Sequence, residues 1–293
     1  MTMICRFQRV DDFPDSDPEI GILTSKTEVL PIPGSINMSL AALLDNPETA
    51  KLMLKSYAKS SHLEKLTLDD IILLPPVDHQ EVWAAGVTYL RSKKARMEES
   101  ETSASAYDQV YDADRPELFF KSMPQKVVAD GDVVGIRCDS KWNVPEPEIA
   151  LWINANHQIV GYTIGNDMSS RDIEGENTLY LPQAKVYSNS CSIGPYINLD
   201  LTGNEAANLE IQLKIIRDGD EVFSGSTNTS QMKRNFEELK DYLCKCQNFP
   251  DGVVLLTGTG IVPNDNFSLK ESDQIEISVE KIGTLTNSVY EVS

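Results

Sequence analysis

The sequence predicts an α+β protein in two parts: a small N-terminal α+β domain over residues 1–76 and a larger, mostly β domain over residues 77–293. Three observations carry that expectation. A chain of 293 residues is long enough to build more than one small core. The pair Pro75-Pro76, which no helix can continue, marks a junction. Beyond it, short strand-like runs are separated by Gly, Pro, Asn and Asp turns, without the regularly alternating helices of a parallel βαβ sheet.

In the first part, residues 19–32 alternate branched and polar side chains around Ser25 and Lys26, as a hairpin does. The leucine spacing over 39–60 predicts one or two short helices, and 69–76 closes the unit. In the second part, strands are expected at 81–85, 148–153, 159–164, 209–216, 253–256 and 274–280, interrupted by one clear helix at 230–244. Two stretches are charge-biased. Arg91, Lys93, Lys94 and Arg96 form a basic patch, and residues 98–117 are acidic with weak periodicity, a solvated segment or a mobile lid over a site.

The 45 acidic side chains against 26 basic ones give a formal charge of −19, which repels phosphate backbones and anionic lipid headgroups alike. Neither a nucleic-acid partner nor a membrane is therefore expected. No run approaches the roughly 20 apolar residues of a membrane span, and residues 1–7 lack a secretory start, so a cytoplasmic protein is expected. Five dispersed cysteines (Cys5, Cys138, Cys191, Cys244, Cys246) fit reduced thiols better than a disulfide framework.

The most informative stretch is Asn143-Val144-Pro145-Glu146-Pro147-Glu148-Ile149. On a strand, Glu146 and Glu148 share one face while Ile149, Leu151 and Ile153 take the other. Two neighbouring carboxylates repel unless water or a cation compensates them. A polar turn over 154–158 returns the chain, and centring it on Asn156 and His157 brings Asp167 opposite Glu146. Three hard oxygen donors without sulfur or imidazole suit Mg²⁺, or Mn²⁺ or Ca²⁺. The alternative is a pair of solvated edge charges. Pro145 and Pro147, lacking ladder donors, place the stretch at a sheet edge or rim.

These residues belong to a wider pattern: Gly86-Val87-Thr88-Tyr89, Glu117-Leu118-Phe119-Phe120-Lys121, Glu146-Pro147-Glu148, Gly161 to Asp167 with Arg171-Asp172, Lys185, Gly194-Pro195, Thr257-Gly258-Thr259-Gly260 and Gly283 to Asn287. In order and spacing, from about Val82 onward, they resemble the fumarylacetoacetate hydrolase family. The resemblance implies a divalent-metal enzyme with a β-roll or sandwich catalytic domain, the metal held by Glu146, Glu148 and Asp167. It also implies association into a homo-oligomer. One departure is informative. Hydrolases and decarboxylases of the family place a His beside a Glu after the Gly-x-x-Tyr motif, whereas this chain has only His62, His79 and His157, none between Tyr89 and Glu148. Arg115-Pro116-Glu117 and Leu181-Pro182-Gln183-Ala184-Lys185 look instead like the subgroup that removes water from 2-keto-3-deoxy sugar acids.

That chemistry needs no water nucleophile. A 2-oxo acid chelates Mg²⁺ through its carboxylate and keto oxygens, which favours loss of a C3 proton and then of the C4 hydroxyl. The resemblance makes Lys185 and Glu117 the catalytic pair, Lys185 taking or relaying the proton and Glu117 assisting the hydroxyl, or the reverse; a Schiff base on Lys185 is the rival. A five-carbon substrate, the same from arabinonate and xylonate, would give 2,5-dioxopentanoate. Thr259 is expected to hold the substrate carboxylate, with Tyr89 and Arg91 as further substrate contacts, and Arg171 to brace Asp167. The competing readings are a carbon–carbon hydrolase or decarboxylase of acylpyruvate-like acids and a metal-stabilised binding protein.

Overall fold

A computed structural model describes residues 1–12, 17–35, 38–59, 63–91 and 109–293. The N-terminal strands are β1 (Met3–Arg9), β2 (Glu19–Leu23) and β3 (Glu28–Pro31), then helices α1 (Leu40–Leu44) and α2 (Pro47–Tyr57), then β4 (Leu66–Thr67) and β5 (Ile71–Leu74). The expected hairpin is present, with Gly21 opposite Pro31 and Leu23 opposite Val29. Both helices start where the sequence supplies caps: Ser39 accepts from the Ala42 amide, and Asn46 accepts from the Thr49 amide with Pro47 in the first turn.

After the proline pair come β6 (Glu81–Gly86), β7 (Glu117–Ser122), β8 (Val127–Val128), β9 (Val133–Arg137), β10 (Asn143–Val144), β11 (Pro147–Ile153), β12 (Ile159–Asp167) and β13 (Ser169–Ser170). Two short helices, Arg171–Glu176 and Leu181–Lys185, precede β14 (Cys191–Asn198), β15 (Glu210–Arg217), β16 (Asp220–Asn228), β17 (Val253–Leu256), β18 (Gln274–Val279) and β19 (Gly283–Val292). The long helix expected at 230–244 runs only over Phe236–Leu243. Asn235 caps it, accepting from the Glu238 amide, and the residues before it are engaged elsewhere: Met232 bridges Tyr89, and the Lys233 amide donates to the Thr88 carbonyl.

The strands form a large sheet in the order β4-β3-β2-β1-β14-β12-β11-β17-β6-β7, with β5 on β1 and β8 on β14, and a second sheet in the order β16-β15-β18-β19-β9. The N-terminal strands thus extend the same sheet as β11 and β12, joined where β1 pairs with β14. Each face of the large sheet has its own core. Ile149, Leu151 and Ile153 pack with Ile211, Leu213, Ile215, Ile275, Ile277 and Leu285 of the second sheet. Ala150 and Trp152 pack on the opposite face with Leu40, Leu44 and Leu54 of α1 and α2. Burying each large aliphatic side chain contributes about 1.5–3 kcal/mol. Trp152 also fixes the junction, its Nε1 donating to the Pro76 carbonyl at 3.1 Å.

Of the two positions expected for the segment with Glu146 and Glu148, an edge or a rim, the edge is corrected: β11 lies between β12 and β17 with all seven of its residues buried, and the glutamates sit at its starting end. Pro147 is tolerated because it is the first residue of the strand. All five cysteines are free; Cys5, Cys191 and Cys244 are buried. Among the described residues, no helix is long and apolar enough to cross a membrane.

Candidate metal and catalytic centre

The hairpin of β11 and β12 sets the centre by register alone. Pro147 faces Asn166, and the Asp167 amide donates to the Glu146 carbonyl at 3.0 Å, so the carboxylates of Glu146, Glu148 and Asp167 meet on one face at one end of the sheet. Their ligand oxygens lie within 4.8 Å of one another, and all three residues are buried. Glu148 accepts from the Gly258 amide at 2.6 Å. Even so, burial first, then the charges of Asp167 and Glu146, push its carboxyl well above the usual range. Three oxygen donors this close together, without sulfur or imidazole, fit a hard divalent ion.

Three buried cations line the same carboxylates. Lys185 Nζ, fully buried at the end of its short helix, donates to Glu146 Oε2 at 2.6 Å, Asp167 Oδ2 at 2.9 Å and Ser169 Oγ at 2.5 Å. It also lies 5.7 Å from the Phe119 ring centre. Arg171 Nη2 pairs with Glu146 Oε1 at 2.7 Å, so this arginine braces Glu146 rather than Asp167 as the sequence suggested. The third cation is Lys121, which had no assigned role. Its Nζ is fully buried, ion-paired with Asp167 and bonded to the Met168 carbonyl at 3.0 Å and the Lys185 carbonyl at 2.5 Å. A lone lysine closing the apolar run Leu118-Phe119-Phe120 was the available signal. Ser169, also unassigned, carried no such signal.

Glu117 approaches from the other side. It faces Gly86 across the β6–β7 pair, and its carboxylate lies over that glycine: a Cβ at position 86 would sit 1.9 Å from Glu117 Oε2. Ala150, Leu256 and Ala84 form one row across β11, β17 and β6. The next row runs from Glu148 past Gly258 and Gly86 to Glu117. At ~4.8 Å per strand its ends are roughly 14 Å apart along the sheet, with the Glu117 carboxylate lying over Gly86 and the Thr88 hydroxyl over Gly258. Gly258 has φ +92°, and a Cβ there would meet Thr88 Oγ1 at 2.0 Å, so only glycine serves. Val87, a β-branched residue at φ 54°, holds the strained turn between Gly86 and Thr88.

The remaining expected contacts divide. Tyr89 is buried, and burial followed by the charge of Glu148 raises its phenol's pKa. Thr259 is buried too, but its hydroxyl is engaged within its own turn, donating to the Ile261 carbonyl at 3.2 Å and accepting from the Ile261 amide at 3.1 Å. Arg91 is exposed. Lys93, Lys94, Arg96 and the acidic residues 98–108 lie outside the described residues, as does His62. Where description resumes, Lys233 and Arg234 hold the chain: Lys233 pairs with Asp112 at 2.6 Å, and Arg234 donates to the Asp114 carbonyl at 3.0 Å.

Two sheets in sandwich, with a three-carboxylate cluster at the mouth of β11, define the class: the chain belongs to the fumarylacetoacetate hydrolase family, whose C-terminal domain model matches residues 81–290. Within it, the chain is 51% identical over 217 residues, 74% of each chain, to a probable 2-keto-3-deoxyxylonate dehydratase of Haloferax volcanii. It is 43% identical over 235 residues, 78% of each chain, to the 2-dehydro-3-deoxy-D-arabinonate dehydratase of Saccharolobus solfataricus. A solved 2-keto-3-deoxy-D-arabinonate dehydratase complexed with magnesium and 2,5-dioxopentanoate superposes with a TM-score of 0.81 at 32% identity, covering 99% of both chains.

Proposed function

We propose that this protein is an Mg²⁺-dependent hydro-lyase that converts 2-keto-3-deoxy-D-arabinonate, the same compound as 2-keto-3-deoxy-D-xylonate, into 2,5-dioxopentanoate. The observation that carries the reading is Lys185, a buried amine seated directly on two of the three carboxylates of the cluster. Glu146, Glu148 and Asp167 would hold the ion, which when bound polarises the 2-oxo group and makes the C3 hydrogens acidic.

Lys185, positioned by Ser169 and by Lys121 on its carbonyl, relays the C3 proton, passing on one of the protons it donates to Glu146 and Asp167 as it takes the new one. Glu117 gives a proton to the C4 hydroxyl, which leaves as water as the C3–C4 double bond forms. The 5-hydroxy-3-ene that results then isomerises: two hydrogens leave the C5 carbinol and two protons are taken up at C3 and C4, giving the C5 aldehyde. Water is excluded because the carboxylates and both lysines are buried. In the same reading residues 77–293 carry the chemistry, residues 1–76 extend its sheet, and the protein works in the cytoplasm as a homo-oligomer.

The test is direct. Purified protein with Mg²⁺ and 2-keto-3-deoxy-D-pentonate should release an aldehyde detectable with a semialdehyde dehydrogenase and NAD(P)⁺, and EDTA should stop it. An untouched pentonate alongside a cleaved acylpyruvate would overturn the reading in favour of a carbon–carbon hydrolase.

A further inference from the structure

Two residues beyond Gly258, the Gly-rich turn meets the second sheet. A Cβ on Gly260 would lie 2.4 Å from Thr227 Oγ1 and 2.7 and 3.0 Å from Cδ1 and Cε1 of Tyr89, so the Thr227 hydroxyl and the Tyr89 ring close on each other across this glycine. Thr227 stands near the end of β16, opposite Ile211 and turned inward. It is 6% exposed, and its hydroxyl has no hydrogen-bond partner among the described residues. A buried, unpaired hydroxyl is a cost that a valine of the same shape would avoid. The neighbouring threonines show the contrast, since Thr88 Oγ1 donates to the Thr257 carbonyl at 2.7 Å, and Thr257 Oγ1 donates to the Ile149 carbonyl at 2.8 Å.

Resting on the dehydratase reading, we infer that Thr227 is a specificity-determining residue whose hydroxyl, beside Tyr89, hydrogen-bonds the terminal C5 hydroxyl of the substrate. The turn that carries Gly260 is bonded to Glu148 through Gly258, so Thr227 and the carboxylate cluster flank the same short turn. A five-carbon acid held at its 2-oxo end by that cluster needs one hydroxyl-sized partner for its far end, beside the Tyr89 ring. Thr227 supplies it, and a shorter or terminally deoxygenated 2-oxo acid leaves it unpaired.

The experiment compares two ligands that cannot be dehydrated because they lack a C4 hydroxyl: 5-hydroxy-2-oxopentanoate and 2-oxopentanoate. Binding is measured by calorimetry on the full chain with Mg²⁺. The wild type should prefer the hydroxylated ligand by about tenfold to a hundredfold. T227V should bring the two ligands within about threefold of each other while melting at or above the wild-type temperature, and T227S should keep the preference. Equal binding of both ligands by the wild type, or an undiminished preference in T227V, overturns the inference. Turnover of 2-keto-3-deoxy-D-pentonate is followed in parallel: its absence with the binding preference intact would count against the dehydratase reading and not against this contact.

Discussion

Replacing Gly86 by alanine tests whether the sheet row, rather than Glu117 alone, places the acid. The added Cβ would sit 1.9 Å from Glu117 Oε2 and 2.6 Å from its Cδ. To reach an ordinary contact of about 3.4 Å the carboxylate must retreat by about 1.5 Å, and a displacement of ~1 Å at a reacting group costs on the order of 10²-fold in rate. Gly86 has no positive φ, so alanine fits the backbone and the fold should be retained. The expected result is a kcat for pentonate dehydration lowered by about 10²-fold or more, with a melting temperature near wild type and unchanged Mg²⁺ affinity. Glu117→Gln should fall by about 10²–10⁴-fold, the range for a lost acid–base group. A Gly86→Ala enzyme with wild-type kcat beside an inactive Glu117→Gln enzyme would refute the claim that Gly86 seats the carboxylate. A fully active Glu117→Gln enzyme would refute the role of Glu117 itself.

Lys121→Met removes one partner of a fully buried ion pair and should destabilise the metal-free protein by about 3–5 kcal/mol in urea unfolding, with a loss under 1 kcal/mol counting against a structural pairing with Asp167. Borohydride with Mg²⁺ and pentonate should leave Lys185 unmodified by mass spectrometry, and Lys185→Met should lose turnover; a reduced adduct on Lys185 would replace proton transfer by a Schiff base. Glu148 sets a pH dependence. Its carboxyl is held well above 4.5 in the folded chain, so between 4.5 and that raised value the folded protein binds more protons than the unfolded one, and the stability contributed by Glu148 is lost as pH rises. Mg²⁺ binds the ionised form, so the rise in melting temperature on adding Mg²⁺ should grow with pH across this interval, and a constant or shrinking rise would refute it.

The β11–β12 hairpin was legible in the sequence to the residue, because a polar turn and a period of two fix register together. Asp167 therefore could be placed opposite Glu146 from spacing alone. The edge position inferred from Pro145 and Pro147 failed because proline at the start of a strand is as acceptable as proline on an edge. The helix expected from residue 230 shortened because Met232 and Lys233 pair with Tyr89 and Thr88, a long-range contact that no local pattern announces. Lys185 was legible through the family pattern, but Lys121 was read as part of a motif and not as a member of the cluster. Its position depends on β7 lying four strands from β12, a distance in the sheet that periodicity does not encode. Thr227 lies further still from anything sequence spacing could reveal, since it belongs to the second sheet.

The charge of −19 bears on binding only through this local arrangement. Lys121 and Lys185 pair with Asp167, and Lys185 and Arg171 with Glu146, whereas Glu148 has no ion pair among the described residues and is held toward its protonated form by burial and its two acidic neighbours. Buried charges are tolerated only in such pairs, because an unpaired one costs several kcal/mol. Lys185 Nζ lies on oxygens of Glu146 and Asp167, two of the residues that would hold a metal, so the amine and a dication would share the same carboxylates. With Lys121, Lys185 and Arg171 already lining the carboxylates, a dication would leave a net positive pocket inside an acidic protein, which is what an anionic 2-oxo acid requires. The acids on the surface stay out of the reckoning, since screening at physiological salt reduces exposed charges beyond about 8 Å to a minor influence on the buried site.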